Sequence, residues 1–200
     1  MNVELRLATK DDAAAVAEIY RPFVASTPIS FEIEPPDPQE MQRRIDSTLL
    51  THAWLICEHR GEVVGYAYAG RHRERAAYQW SVDTSVYVHP AFHRRGIGRG
   101  LYTSLFRILA AQGFVSAYAG ITLPNTSSVA LHESAGFELV GVYRNAGFKL
   151  GQWYSVGWWQ RALRAPEATP SPPLNLDDIQ RDPSWQQMLI SGLSCIREVV

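Results

Sequence analysis

The chain has 200 residues, 46% of them hydrophobic and 20% charged, with a formal net charge of -1. That is the composition of an ordinary globular protein, long enough to bury a sizeable core. It lacks the basic excess that general nucleic-acid binding needs. Cys57 and Cys195 form no C-x-x-C motif and no disulfide framework, which fits a reducing cytosol. Residues 1–6 carry neither an apolar signal core nor a basic leader, and no stretch approaches the ~18 apolar residues of a membrane span. The expectation is a cytoplasmic protein with no membrane and no nucleic-acid partner. Histidines 52, 59, 72, 89, 93 and 132 are scattered without zinc-ligand spacing, so no metal is expected.

In chain order, residues 3–8 alternate around Leu5 and Leu7 and predict a strand. Thr9 and Asp12 resemble a capping box that opens a helix over 10–24, with Ala13, Val16, Ala17 and Tyr20 at helical spacing. A turn-rich link over 28–38 contains Phe31 and leads to a second helix over 39–50. Strands follow at 53–58 and 63–69, joined by the turn Arg60-Gly61-Glu62. Residues 78–88 predict the longest strand, closed by His89-Pro90 because proline lacks the ladder donor. Leu101, Leu105, Ile108 and Leu109 mark one face of a helix ending at Gly113. A strand over 115–123, a short helix over 126–134 and a closing hairpin of 138–150 and 153–163 around Gly151 complete the pattern. The order β-α-α-β-β-β-α-β-α-β-β implies a mixed α/β (α+β) domain over residues 1–164. Residues 165–200 then read as a proline-rich linker and a C-terminal amphipathic helix, with Asp182-Pro183 at its start and Trp185, Met188, Leu189, Leu193 and Ile196 as its stripe.

Charge is unevenly placed. From Thr84 through His132 there is no Asp or Glu, yet Arg94, Arg95, Arg99 and Arg107 fall in that stretch. A buried centre would explain the missing acids, and an anionic ligand would explain both features. Within it, strand, short loop, Arg94-Arg95-Gly96-Ile97-Gly98-Arg99-Gly100 and helix succeed one another. Glycines let a backbone approach a ligand closely, a helix start is electropositive, and arginines add charge-assisted bonds. No Gly-Lys-Ser/Thr ends the loop, which excludes a Walker A site. No acid follows before Glu133, whereas a dinucleotide fold needs one about 20 residues on. A pyrophosphate-bearing cofactor such as coenzyme A survives these exclusions. No Gly-x-Ser-x-Gly elbow occurs, and neither cysteine lies near the loop in the chain, so no covalent enzyme intermediate is expected.

His93-Arg94-Arg95-Gly96-Ile97-Gly98 resembles the cofactor motif Gln/Arg-x-x-Gly-x-Gly/Ala that follows a bulged strand in GCN5-related N-acetyltransferases, with His93 departing at its first position. The likeness sharpens to the phosphinothricin acetyltransferase group. It is carried by Gly65–Gly70, Tyr78–Val88, Gly120–Asn125, Leu131-His132-Glu133, Gly136-Phe137, Ala146–Lys149 and Val156–Gln160, and it spans residues 4–163. It implies acetyl-CoA as co-substrate, bound by Val86, Tyr87, Val88, Arg94, Arg95, Gly96, Ile97, Gly98, Arg99 and Asn125, with a backbone N–H near Val88 as oxyanion donor. Asn125 serves equally as an N-cap. Asp83 stands where the group has a Glu base and is one methylene shorter; the alternative is a structural acceptor or ion-pair partner. His132 stands where the wider superfamily has a proton-donating Tyr, the alternative being a plain helix histidine. Phe31, Tyr68, Arg73, Arg75 and Tyr78 match the substrate side, although Arg71-His72-Arg73 departs from the group's loop and a solvated charge run would account for residues 71–75.

The expected activity is direct acetyl transfer to the α-amine of a small amino-acid analogue of phosphinothricin, methionine sulfoximine or sulfone type. The alternatives are the same chemistry on another amine (an amino acid, a polyamine or a protein N-terminus) and a non-catalytic acetyl-CoA sensor. Trp153, Tyr154, Trp158 and Trp159, together with the apolar tail, suggest a homodimer.

Overall fold

Apolar residues on both faces of the central strands require a helical layer on each side of one sheet. A computed structural model describes residues 3–197 and shows that arrangement. In order come β1 (Val3–Leu7), α1 (Ala13–Ser26), α2 (Pro38–Leu49), β2 (Trp54–His59), β3 (Glu62–Arg71), β4 (Ser81–Val88) and α3 (Ile97–Gln112). Then follow β5 (Ser116–Leu123), α4 (Thr126–Ser134), β6 (Glu138–Lys149) and β7 (Gln152–Ala162). The element order is the one expected, and the fold class is mixed α/β. The sheet runs β1-β2-β3-β4-β5-β7-β6. β4 and β5 pair in parallel, and the other neighbours pair antiparallel.

On one face, Leu101, Leu105, Ile108 and Leu109 of α3 pack against Leu55, Ala67, Val82 and Ala117. On the other, Val16, Ala17 and Val24 of α1 and Met41 and Ile45 of α2 cover Trp54, Ile56 and Tyr66. β2 alternates between the two cores, which is why it reads as an unbroken apolar run. Bidentate Arg6–Asp12 bonds of 2.7 and 2.8 Å tie β1 to the start of α1, and Asp12 also accepts from the Thr9 N–H at 2.7 Å.

The structure differs from expectation at three places. β4 begins at Ser81 rather than Tyr78, because the Tyr78 N–H turns back to the Arg75 carbonyl at 2.9 Å and closes a short 3-10 turn over Ala76–Tyr78. β4 also carries no bulge against β3, since its pairing runs unbroken from Gly65↔Val88 to Arg71↔Val82. The tail is two short helices, α5 (Leu176–Gln180) and α6 (Trp185–Ile190), then a 3-10 turn at Leu193–Cys195, rather than one helix through Ile196.

The tail is held closely against α3. Gly192 lies against α3, donating its N–H to the buried Ser104 hydroxyl at 3.0 Å, and a Cβ there would fall 1.9 Å from the Gly100 carbonyl oxygen. The apolar stripe survives the break: Leu176, Ile179, Met188, Leu189 and Ile196 join the α3-side core. The linker is pinned as well, by Leu174 N–H to the Gln112 carbonyl and Trp80 Nε1–H to the Ser171 carbonyl, each at 2.8 Å. Among the described residues no helix is long and apolar enough to cross a membrane.

Gly192→Ala should therefore undock the tail. The expected loss is about 1–3 kcal/mol, the usual range for forcing atoms into a packed site. Urea midpoints, with limited proteolysis in the 165–173 linker, check both parts. An unchanged midpoint would show that the contact has no energetic weight.

Candidate active site

The parallel β4–β5 pairing covers three residue pairs, Ser81↔Ser116, Val82↔Ala117 and Asp83↔Tyr118. Beyond Asp83 the two strands part while β4 continues to Val88 and β5 to Leu123. In an antiparallel pair, alternate residues turn their backbone groups toward the partner. The His89 N–H reaches the Val64 carbonyl at 2.9 Å and the His72 N–H reaches the Ser81 carbonyl at 3.4 Å, which fixes the phase at both ends of the β3–β4 ladder. Residues 81, 83, 85 and 87 thus bond toward β3, and the backbone groups of Thr84, Val86 and Val88 point into the opening. His93, the departure from the cofactor motif, donates Nε2–H to the Val88 carbonyl at 2.9 Å and ties the loop to the strand.

The opening leads to the start of α3. Gly96, at φ +81°, is the residue before its first turn, and Gly100 N–H makes a bond back to the Gly96 carbonyl at 2.8 Å. Ile97, Gly98 and Arg99 are left as first-turn N–H donors without helical acceptors, the arrangement that holds phosphate. A cleft of about 500 Å³ joins strand edge and helix start. Val86, Tyr87, Val88, Arg94, Gly96, Ile97, Gly98, Arg99 and Asn125 all line it, and among the described residues no carboxylate does. Basic side chains, free N–H groups and an apolar wall of Phe23, Ile29 and Leu131 suit a long anionic thioester such as acetyl-CoA. Asn125 also caps α4, its Oδ1 accepting from the Ser128 N–H at 3.1 Å, so both of its anticipated roles are compatible.

Two expectations, for Arg95 and His132, differ from what the structure shows. Arg95 does not line the cleft: its guanidinium lies 5.8 Å from the Phe92 ring centre and its carbonyl accepts from the Arg197 N–H at 2.9 Å. The loop glycines Gly96 and Gly98, which line the cleft, also meet protein neighbours closely. A Cβ on Gly96 would lie 2.0 Å from the Cys195 carbonyl oxygen, and one on Gly98 would lie 3.1 Å from Leu131. Cys195, remote in the chain, therefore packs on the loop, and it lines the cleft together with Arg197. Sequence reasoning missed this pair because the tail's docking place is a tertiary contact. Cys57 is sealed in the core, where burial pushes its thiol up to about 12.

His132 is also not the free donor envisaged. It is 5% exposed, donates Nδ1–H to the Ser128 carbonyl at 2.7 Å and accepts at Nε2 from the Tyr102 hydroxyl at 2.9 Å. Burial lowers its pKa. Both ring nitrogens are committed inside the fold, among Tyr102 and Phe137.

The amine side lies where the strands part. Asp83 Oδ1 is 2.6 Å from His72 Nδ1. Burial raises the Asp83 pKa, opposed by the His72 bond and by nearby charge on His72 and Arg73. His72 stacks on Tyr118 at 4.2 Å and meets Tyr78 edge-on at 6.0 Å and Trp158 edge-on at 6.1 Å. The Arg73 guanidinium lies 5.4 Å from the Trp158 ring centre, and its Nη1 donates to the His72 carbonyl at 2.7 Å. Gly120 leaves room for the Trp158 ring, 3.4 Å from where its Cβ would be. Tyr68 shares the Asp83 face of the sheet and stacks on Trp54 at 4.3 Å. Phe31 rests on Gly147, in a loop that Lys149 fixes by donating to the Ser30 carbonyl at 2.7 Å. Arg75 is exposed, and its side chain joins none of these contacts among the described residues. His72 is the residue that sequence reasoning passed over; the only signal was that Arg71-His72-Arg73 departs from the resembled loop. Among the described residues no group of three or more His, Cys, Asp or Glu could hold a metal ion.

A parted parallel strand pair that feeds a helix start defines a class of acyl-CoA-dependent transferases. The sequence matches the acetyltransferase (GNAT) domain family over residues 5–158, and the chain belongs to that family. It is 43% identical over 170 residues to a phosphinothricin N-acetyltransferase of Streptomyces viridochromogenes, covering 85% of this chain and 92% of that enzyme. It is 33% identical over 168 residues to an L-methionine sulfoximine/L-methionine sulfone acetyltransferase of Salmonella typhimurium, covering 82% of this chain and 98% of that one. A phosphinothricin acetyltransferase from Sinorhizobium meliloti, solved in complex with AcCoA, superposes with a TM-score of 0.79 at 36% identity, over 86% of this chain and 94% of that one. The chain is an acetyl-CoA-dependent acyltransferase.

Arg94→Ala and Arg99→Ala are each expected to weaken acetyl-CoA binding about tenfold, the scale of one charge-assisted bond to phosphate. The loss should shrink at high salt. Isothermal titration checks it, and equal affinity in both variants would remove these arginines from the anion site.

Proposed function

We propose that the protein acetylates the α-amine of a small amino-acid analogue bearing a second anionic or strongly polar group, of the phosphinothricin or methionine sulfoximine/sulfone type. The observation that carries this is the meeting of Asp83, Arg73 and the aromatic walls Tyr118 and Trp158 at the point where β4 and β5 part. Similarity to the phosphinothricin and methionine sulfoximine enzymes supports the same substrate class. Acetyl-CoA supplies an acetyl thioester. The helix start, Arg94 and Arg99 hold its phosphates, Asn125 faces its pantetheine arm, and the Val88 N–H receives the oxygen that becomes negative at the transition state. Asp83 provides the negative charge that draws in the substrate ammonium and assists its deprotonation. Arg73 receives the substrate's carboxylate or phosphinate, for which a guanidinium fork is suited. Tyr78 meets His72 edge-on and Tyr68 shares the Asp83 face, while Phe31 and Arg75 are assigned to the substrate side by the resemblance alone. The site is open to a free amine and needs no covalent enzyme intermediate.

The test is an amine panel with free thiol as readout. Phosphinothricin, methionine sulfone and methionine sulfoximine should be acetylated well above ordinary amino acids, polyamines and peptides. Activity on peptides with none on the three analogues would overturn this assignment, and acetyl-CoA binding without turnover of any amine would favour a sensor. Asp83→Ala should leave acetyl-CoA affinity within about twofold and lower kcat/KM by about 10²-fold or more, the usual scale for a proton-transfer group.

The same proposal includes a homodimer and residence in the cytoplasm. Of the residues first offered for the dimer, Trp159 and Tyr154 are buried and the tail helix packs on its own domain, while Trp153 is exposed. The apolar surface lies on the β6–β7 hairpin at the sheet edge, where Leu139, Val140, Tyr143, Phe148, Leu150 and Trp153 are each more than half exposed. Exposed apolar residues on an edge hairpin call for cover. Light scattering at micromolar concentration should give a mass near 45 kDa, twice the 22.4 kDa of one chain, and Tyr143→Glu should halve it. A monomer mass for the unmutated protein would refute the dimer.

A further inference from the structure

We propose that the proton acceptor for the substrate amine is His72 at Nε2, with Asp83 as the residue that positions it. This rests on the amine acetylation proposed above and names the atom that performs its first proton transfer.

The geometry leads there in three steps. Asp83 Oδ1 and His72 Nδ1 are 2.6 Å apart, and an ionised carboxylate can only accept. Nδ1 therefore carries the hydrogen, and the lone pair is left on Nε2. Second, Nε2 has no hydrogen-bond partner among the described residues, and it is absent from the nitrogens sealed from solvent without one. Third, the ring is fixed. It lies flat on Tyr118 at 4.2 Å with 15° between planes, and Tyr78 and Trp158 meet it edge-on. A histidine oriented by a half-buried carboxylate, with its second nitrogen free, is the arrangement of a general base.

Asp83 Oδ1 is occupied by the imidazole, which carries the accepting atom beyond the carboxylate. The charged and titratable groups around His72 are Asp83 beside it, Arg73 next in the chain, Tyr78 from the following turn and Tyr118 from β5; Tyr68 shares the Asp83 field.

The proton balance is simple. The R–NH3+ ammonium gives one proton to Nε2, and the N–H bonding pair stays on nitrogen as the nucleophilic lone pair. When that pair forms the C–N bond, the nitrogen sheds a second proton and the C–S bond breaks with its pair on sulfur. The second proton goes to that thiolate, and the first leaves Nε2 for solvent. The sum is R–NH3+ plus thioester giving amide, thiol and one released proton.

Two variants and one spectroscopic readout test this with the full chain. His72→Asn keeps an N–H donor toward Asp83 without any base at Nε2, and His72→Ala leaves space for added imidazole. Both should bind acetyl-CoA as the unmutated protein does, by titration calorimetry, which also reports that they fold. Each should lose about 10²-fold in kcat/KM on methionine sulfone. Imidazole in the buffer should restore activity to His72→Ala and not to His72→Asn. Nitrogen NMR of the unliganded protein should show the neutral His72 ring protonated at Nδ1.

If His72→Asn retains most of the activity, or if the neutral ring is protonated at Nε2, Asp83 itself takes the proton and the assignment is overturned. If the unmutated protein acetylates none of the three analogues, the substrate reading fails first. That result is distinct from an active parent with an equally active His72→Asn.

Discussion

The site depends on one limit in the sheet: β4 and β5 pair in parallel for three residues and then separate. Had the pairing continued, the backbone groups of Val86 and Val88 would be spent on β5, and no edge would remain for a ligand to meet. β3 holds β4 straight along its whole length on the other side, so the free edge is rigid. α3 packs Leu101, Leu105 and Leu109 under the same strands and brings its unbonded N–H groups to the end of that edge. One short parallel pairing thus creates an acceptor-seeking strand edge, a phosphate-binding helix start and the gap between them.

Charge follows this geometry. The arginines of the acid-free stretch distribute themselves around α3: Arg94 and Arg99 face the long cleft, while Arg107 joins Arg99 and Arg161 at a neighbouring cleft of about 350 Å³. Arg161 lies 4.7 Å from the Phe106 ring centre, and burial lowers its pKa. Four acids are held elsewhere, in the Arg6–Asp12–Glu58 and Arg44–Glu32–Glu40 networks on the α1–α2 side. Asp83 is the carboxylate left at the gap, and it sits with His72 at the last β4–β5 pair rather than in the cleft itself. An anionic cofactor and a cationic amine therefore meet complementary fields a few residues apart on one strand.

The tail adds a constraint that the domain alone does not contain. Gly96 and Gly100 on the loop and Gly192 in the tail approach so closely that a side chain at any of them would meet backbone atoms. The segment through Arg197 is consequently part of the wall beside the phosphate-binding turn, with Arg197 N–H bonded to the Arg95 carbonyl. Gly96 thus lines the cleft and also lets the tail approach the loop.

The sequence by itself determined the order of elements, the strand–loop–helix unit and its anionic ligand, because periodicity, turn residues and charge are local properties. It also marked Asp83, whose place is set by its position on one strand. Only the tertiary structure decided what touches what. His132 looked available and is enclosed, because Tyr102 of α3 and the Ser128 carbonyl take its two nitrogens. Arg95 looked like a cofactor ligand and faces the tail, because the left-handed turn at Arg94, φ +62°, rotates successive side chains apart. His72 looked like part of a solvated charge run and lies against Asp83, because the β3–β4 register brings residues 72 and 83 together across the sheet. Register, enclosure and chain crossing depend on contacts between residues far apart in the chain, and those are settled only when the layers close.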